Sequence, residues 1–344
     1  MQGKRRETLK VMTAALAAAA LMPVSRAVLA QQKRSLHLEL VGYTLGIHVP
    51  QLMAVRQLML EAGYAEPKLD RIESMQVIAQ SIIGGSAELG DADVVSALRA
   101  TEAKAPLTLV GLVYNNTDQV LIANADKIKS YEDFKNPDNG IALNDLGDFI
   151  YVLVSDALSR NGVNIDDATV IQMGGSGSRK NALLAGRIAA VPIHYDQAAS
   201  VMEKGNYKIL VEPWKQYKRW FSEVWVANQK WLDDKANQKA LVDFNKATIS
   251  SFRRATKDYA YFAEGYRKYA TVPGHADISD AALHPIWEQL ATEIGAWPAD
   301  GGFKREYFKE LLPVYQHAKT LKGQLDLNRA VDPRYVDEAL QQLG

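Results

Sequence analysis

The chain of 344 residues contains no cysteine. That excludes a disulfide framework, a thiolate zinc site, an iron–sulfur cluster and a cysteine nucleophile. It also excludes the lipid-bearing cysteine that anchors many exported bacterial proteins. An excess of one charge is missing too, with 40 Lys and Arg against 40 Asp and Glu. Residues 1–30 carry five of those bases and one of the acids, which leaves 35 and 39 in the remainder. This balance offers no electrostatic footprint for nucleic acid or an anionic membrane, and neither is expected as a partner. Beyond residue 30 no stretch approaches the ~18 apolar residues of a membrane span. The patterns G-x-x-x-x-G-K-[ST], G-x-S-x-G and H-E-x-x-H are all absent, which removes the phosphate loop, the hydrolase elbow and the zinc-protease helix. No cofactor, no metal and no enzymatic activity are expected.

What is present begins at the N-terminus. Lys4, Arg5, Arg6 and Lys10 precede an alanine-rich apolar run from Val11 to Met22, and Val28-Leu29-Ala30 fits a small-x-small cleavage site. This reads as a secretory signal over residues 1–30, with cleavage after Ala30 or, alternatively, Ala27. Arg5-Arg6-Glu7-Thr8-Leu9-Lys10 fits R-R-x-x-L-K, so the twin-arginine route is expected, with the general secretory route as the alternative. Either route leads to the periplasm.

The mature length, about 314 residues, is enough for two domains. Two segments repeat one another: Ala79 to Asp93 and Lys180 to His194. In each, an apolar helix tail meets a glycine, Gly85 or Gly186, and a short strand ending in polar residues follows at once. A glycine past a helix end supplies the left-handed turn that stops it, and helix-turn-strand units build α/β sheets. Strands are predicted over 36–41, 68–72, 88–91, 107–114, 119–123, 140–144, 168–173 and 189–193. Helices are predicted over 50–62, 75–83, 94–104 and 149–160, from Arg179, and over most of 230–343 with long stretches at 237–269 and 280–294. The chain crosses between two lobes near 115–118 and 211–225. The expected organisation is one lobe of residues 31–116 and 223–344, a second of 117–222, and a hinged cleft between them.

This order of elements, with the entry Ile128-Lys129-Ser130-Tyr131-Glu132-Asp133-Phe134-Lys135 into the second lobe and Gly186 to Pro192 closing the second repeat, resembles the periplasmic substrate-binding proteins of ABC importers in the nitrate, taurine, aliphatic-sulfonate and thiamine-precursor group. The resemblance covers about Leu36 to Trp225. It implies an α/β, two-lobed periplasmic binding protein-like fold with mixed five-stranded sheets, two crossovers and a helical C-terminal extension. It implies a monomer that captures a small organic molecule and hands it to the membrane subunits of an ABC permease; the tyrosines, tryptophans and carboxylates point to an aromatic or heterocyclic compound, with a sulfonate, nitrate or aromatic carboxylate as alternatives. Presentation of ligand to a receptor kinase is the alternative. A pyrimidine-synthase activity of the same fold group is disfavoured because its cysteine-rich motif is missing. Two residues depart from the group: Glu88 stands where aspartate is usual, and Asp148 where sulfonate and nitrate binders offer serine or threonine.

In sheets of this kind ligands sit beyond the carboxyl ends of strands. The candidate ligand residues are therefore Tyr43, Thr44 and His48 after the first strand, Gln76 at a helix start and Asp91 after the third strand. Asn115 lies at the first crossover, and Gly147, Asp148 and Phe149 lie at a helix N-terminus. Ser176 sits in the glycine-rich loop, His194, Tyr195 and Asp196 end the second repeat, and Trp225 lies beyond the second crossover. Asp93 is read as a helix cap and Asp91 as the carboxylate facing Asp148. That pairing predicts poor binding of nitrate, sulfate and short sulfonates, and better binding of a neutral or cationic heterocycle.

Overall fold

Residues 33–344 are described by the structure, a computed structural model. The predicted signal lies outside the described residues. Among the described residues no helix is long and apolar enough to cross a membrane.

The first lobe is built on β1 (His37–Val41), β2 (Lys68–Ile72), β3 (Leu89–Asp93), β4 (Leu107–Leu112) and β10 (Glu223–Asn228), in the order β2-β1-β3-β10-β4. The second is built on β5 (Gln119–Asn124), β6 (Ile141–Leu143), β7 (Val170–Gln172), β8 (Ala190–His194) and β9 (Tyr207–Val211), in the order β7-β6-β8-β5-β9. Each sheet is mixed. β10 runs antiparallel to β3 and β4, and β5 runs antiparallel to β8 and β9. The two repeated segments supply β3 and β8, the third strand of each sheet, so the sequence repeat marks equivalent places in the two lobes. Gly85 (φ 79°) and Gly186 (φ 71°) make the left-handed turns before them.

Helices cover the sheets. The run α1 (residues 49–61) begins at Pro50 in its first turn and contains a π-turn over Ala54–Leu58. α2 (Met75–Gly84) and α3 (Val94–Glu102) follow in the first lobe; α4 (Phe149–Arg160), α5 (Ser176–Leu184) and α6 (Tyr195–Met202) lie in the second. α5 begins three residues earlier than predicted, because Gly175 adopts an extended N-cap conformation and releases Ser176 into the helix. The C-terminal extension carries α7 (Lys235–Lys257), α8 (Tyr259–Tyr269), α9 (Asp280–Glu288), α10 (Arg305–His317) and α11 (Arg334–Leu343). The predicted stretch 237–269 is two helices: Asp258 turns extended and its carboxylate accepts from Tyr261 N–H, capping α8.

The first core packs Leu38, Leu40, Leu89, Leu109 and Val226 against Leu52, Ile78, Leu98 and Phe244, all essentially inaccessible. A smaller core around Val120, Ile122, Val191 and Ile193 holds α5 and α6 on the second sheet. Residues 113–118 and 212–222 carry the chain between the sheets, and both sheets direct the carboxyl ends of their parallel strands to this junction.

Candidate functional site

The loop after β1 enters the junction between the lobes. Gly42 sits beside the exposed Glu73, whose flexible carboxylate end lies 2.6 Å from where a Cβ would stand. Arg71 on β2 donates to Val41 O at 2.9 Å and to Thr44 Oγ1 at 3.1 Å. Thr44 is fully buried, and its backbone exchanges hydrogen bonds with Thr271 of the C-terminal extension. Its hydroxyl is thereby engaged within the lobe, so Thr44 shapes the loop. Tyr43 reaches across, with its ring edge-on to His48 (5.4 Å) and His194 (5.7 Å). Its hydroxyl bonds the Ser176 side chain of the other lobe and lies 3.4 Å from His194 Nε2. Burial foremost, then Glu223, raises the Tyr43 pKa above that of an ordinary phenol.

His48 is 2 % exposed. Its Nδ1 accepts from Leu45 N–H at 2.9 Å, which places the proton on Nε2. Burial, with His194 and Arg71 adding, holds its pKa well below the usual value. Nε2 is buried without a hydrogen-bond partner. Asp91 accepts from Gln51 Nε2 at 2.9 Å through Oδ2. Its carboxyl is pushed up to about 6 by burial. Glu223 is raised further, by burial and then by Asp91, with which it shares a hydrogen bond. Two buried carboxyls this close cannot both ionise, and a proton bridges them.

From the second lobe, His194 Nδ1 lies 2.7 Å from Asp118 Oδ1, and its Nε2 lies 2.8 Å from Gln119 Nε2. The ring thus donates to the carboxylate and accepts from the amide. Arg179, 1 % exposed, donates to the carbonyls of Pro192 and Gly174, while its Nη2 is left unpartnered. Three buried polar atoms without partners lie beside Tyr43 or His194: His48 Nε2 from one lobe, Gln119 Oε1 and Arg179 Nη2 from the other. Buried polar groups are almost always hydrogen-bonded, and each exception costs about 1–3 kcal/mol. Three such atoms around one pair of rings suit a surface that meets a ligand or reopens to water.

Other candidates lie around this cluster. Asp148 caps α4, accepting from Tyr151 N–H (2.8 Å), Asp145 N–H (3.2 Å) and Asn144 Nδ2 (3.2 Å). The carboxylate facing it is Asp93, not Asp91. Asp93 accepts from Ser96 N–H at 2.6 Å, capping α3, and from Phe149 N–H at 2.8 Å, the first amide of α4 in the other lobe. Burial, then Asp93, raises Asp148 to about 7; burial raises Asp93 to about 6. Gly147 (φ 82°) forms the turn before this cap. Gln76 Nε2 donates to Leu146 O at 3.3 Å and Ser74 to Asp145 at 2.9 Å, extending the same contact between lobes. Asn115 is tied to Gly295 and Ala296 of the C-terminal extension and accepts from Trp220 N–H, which makes it a hinge staple. Trp225 is buried against Phe244 of α7 at 4.7 Å, inside the core of the first lobe. Tyr195 and Asp196 line a cavity of about 540 Å³ on the far side of Asp118.

The structure thus brings Tyr43, His48, Asp91, Ser176 and His194 together. It places Thr44, Asn115, Trp225 and the 147–149 turn in supporting or lobe-joining roles. Sequence reasoning missed Gln51, Asp118, Gln119, Arg179 and Glu223. Gln119 and Glu223 have a common cause: each opens an antiparallel strand, so its amino end lies at the edge where parallel strands have their carboxyl ends. Polar residues at the start of β5 and β10 were the available signal. Arg179 lies one helical turn beyond Ser176 and shares its face.

A two-lobed α/β fold with polar groups of both lobes meeting at the strand ends defines a periplasmic binding protein-type architecture. Residues 71–259 match the family described as NMT1/THI5 like, and the chain belongs to that family. No curated protein matches the sequence. Among solved structures, the periplasmic nitrate-binding protein NrtA from Synechocystis PCC 6803 is 14 % identical with a TM-score of 0.73, over 91 % of this chain and 89 % of that one. The alkanesulfonate-binding protein SsuA from Xanthomonas axonopodis pv. citri, bound to MOPS, is 13 % identical with a TM-score of 0.65, over 88 % and 99 %. A Candida albicans protein with the generic periplasmic binding protein fold is 14 % identical with a TM-score of 0.61, over 87 % and 96 %. At these identities the likeness is one of fold.

Proposed function

We propose that this protein is an extracytoplasmic solute-binding protein that captures a small organic molecule between its lobes and delivers it to the permease of an ABC importer. The observation that carries the reading is the group of unpartnered buried polar atoms from both lobes around Tyr43 and His194: His48 Nε2, Gln119 Oε1 and Arg179 Nη2. Such a surface is stable only when a ligand engages it or when the lobes part, and both are steps of capture by hinge closure. The groups present hydrogen bonds and rings, with no covalent machinery called on, so the solute leaves unchanged. The proposed lobes are residues 31–116 with 223–344, and 117–222.

Small-angle scattering of the mature chain should show a smaller radius of gyration with ligand than without, and the ligand should be recovered intact. A chemically altered product would overturn the binding reading. Export through the twin-arginine route is proposed from Arg5-Arg6 and Leu9-Lys10. Replacing both arginines by lysine should leave uncleaved precursor in the cytoplasm; normal export of that variant would assign the general secretory route.

A further inference from the structure

The 540 Å³ cavity beside the cluster has two unlike walls. The second lobe contributes Asp118, Tyr195, Asp196 and Glu203. The C-terminal extension opposes them with apolar side chains, Ala282, Ile286 and Leu290 among them. Three carboxylates face the space, and no Lys, Arg or His lines it. Asp118 is 4 % exposed and holds His194 through one oxygen. Burial, with Asp118 contributing, raises the carboxyl of Asp196 above its ordinary pKa. Gln289 Nε2, on the same wall as Leu290, is buried without a partner. The volume falls in the range of small-molecule sites.

These features select a charge. A cation against Asp118 and Asp196 relieves both their desolvation and their mutual repulsion, whereas an anion adds to both. The opposite wall favours hydrocarbon, and the Tyr195 ring, held edge-on by Trp214 at 5.8 Å, is suited to a cation or an aromatic body. We propose that this chamber takes an organic ammonium compound with an apolar body, its nitrogen on Asp118 and Asp196 and its hydrocarbon on the C-terminal helical wall. The chamber lies beside the inter-lobe cluster, so the proposal goes beyond the solute-binding reading and adds a second ligand site to it.

Calorimetry on the full mature chain tests it with 2-phenylethylammonium and its size-matched anion, 3-phenylpropionate. The ammonium probe should bind at least tenfold more tightly than the carboxylate. Asp196→Asn should weaken it at least tenfold. Ala282→Trp, which fills the chamber from an exposed position, should abolish binding. Thermal unfolding of the ligand-free variants should show both intact. Failure of the ammonium to bind, equal binding of the carboxylate, or undiminished binding in both variants overturns the proposal. Native mass spectrometry of the protein taken from its own periplasm tests the underlying reading separately. A small molecule released on unfolding retains solute binding even where the ammonium probe fails.

Discussion

Two helices of the second lobe point their N-termini at the first lobe, and they are used in opposite ways. α4 begins with a carboxylate cap, Asp148, and a second carboxylate, Asp93, reaches from the other lobe to the amide of Phe149. α5 begins with Gly175, which supplies no side-chain cap, and has no acid in its first turn. Its Ser176 bonds Tyr43, and the charge of Arg179 behind it is offset by Asp145 and Asp148. A helix N-terminus carries about half a positive charge. In α4 that charge is satisfied inside the protein and locks the lobes; in α5 a hydroxyl and a glycine pair leave the backbone approachable. The residues with the stronger sequence signal, 147–149, form the lock, and the weaker 174–177 loop stands beside Tyr43 and His194.

The lock can be broken from either carboxylate, with different results. Asp93→Ala should have the largest effect, since it removes the cap of α3 and the bond to α4 together. A loss of about 2–4 kcal/mol is expected in urea unfolding, with an increased radius of gyration in scattering. An unchanged radius would show that Asp93 does not hold the lobes. Asp148→Ala removes bonds that all lie within the second lobe, so it should cost about 1–2 kcal/mol with the radius unchanged.

The same pair sets a pH response. Folded-state pKa values of about 7 for Asp148 and about 6 for Asp93 lie above the ~3.9 of an unfolded aspartate. The folded protein therefore binds more protons between about pH 4 and 7, and stability falls as pH rises through that window. Acidification from pH 7.5 to 5.5 should raise the melting temperature. Asp148→Asn should reduce the rise by the equivalent of about 2 kcal/mol. Equal pH profiles in the two proteins would refute the shift. Smallest of all, Ser176→Ala should cost less than ~1 kcal/mol, and it should weaken ligand binding more than it lowers ligand-free stability. A reversed order would move Ser176 from the site to the scaffold.

Eight of the ten strands and most helices were legible to within a few residues because they follow local periodicity; β9, β10 and α6 were not read from the chain. α4 was placed at Phe149–Arg160 by its Asp148 cap and Asn161-Gly162 end. The π-turn in α1 and the break at Asp258 were not legible, since apolar periodicity runs through both. Tyr43, His48, Asp91, Ser176 and His194, which the fold brings together, were all proposed by one rule, that ligands lie past the carboxyl ends of parallel strands. The rule has nothing to say about β5 and β10, whose direction depends on sheet order. Gln119 and Glu223 were missed for that reason, and Trp225 was misplaced for the same one.

By itself the sequence determined the class of protein. The absence of cysteine, the twin helix-glycine-strand units and two crossovers are local or compositional, and each is readable without knowing what touches what. Only the tertiary structure decided which polar groups meet. Asp93 is a helix cap by sequence and becomes a bridge between lobes because α4 ends its approach within 2.8 Å of it. Asp91 and Glu223 share a proton because antiparallel pairing sets the start of β10 beside the end of β3. Hydrogen bonds and charges act over a few ångströms, and residues distant along the chain come that close only through folding.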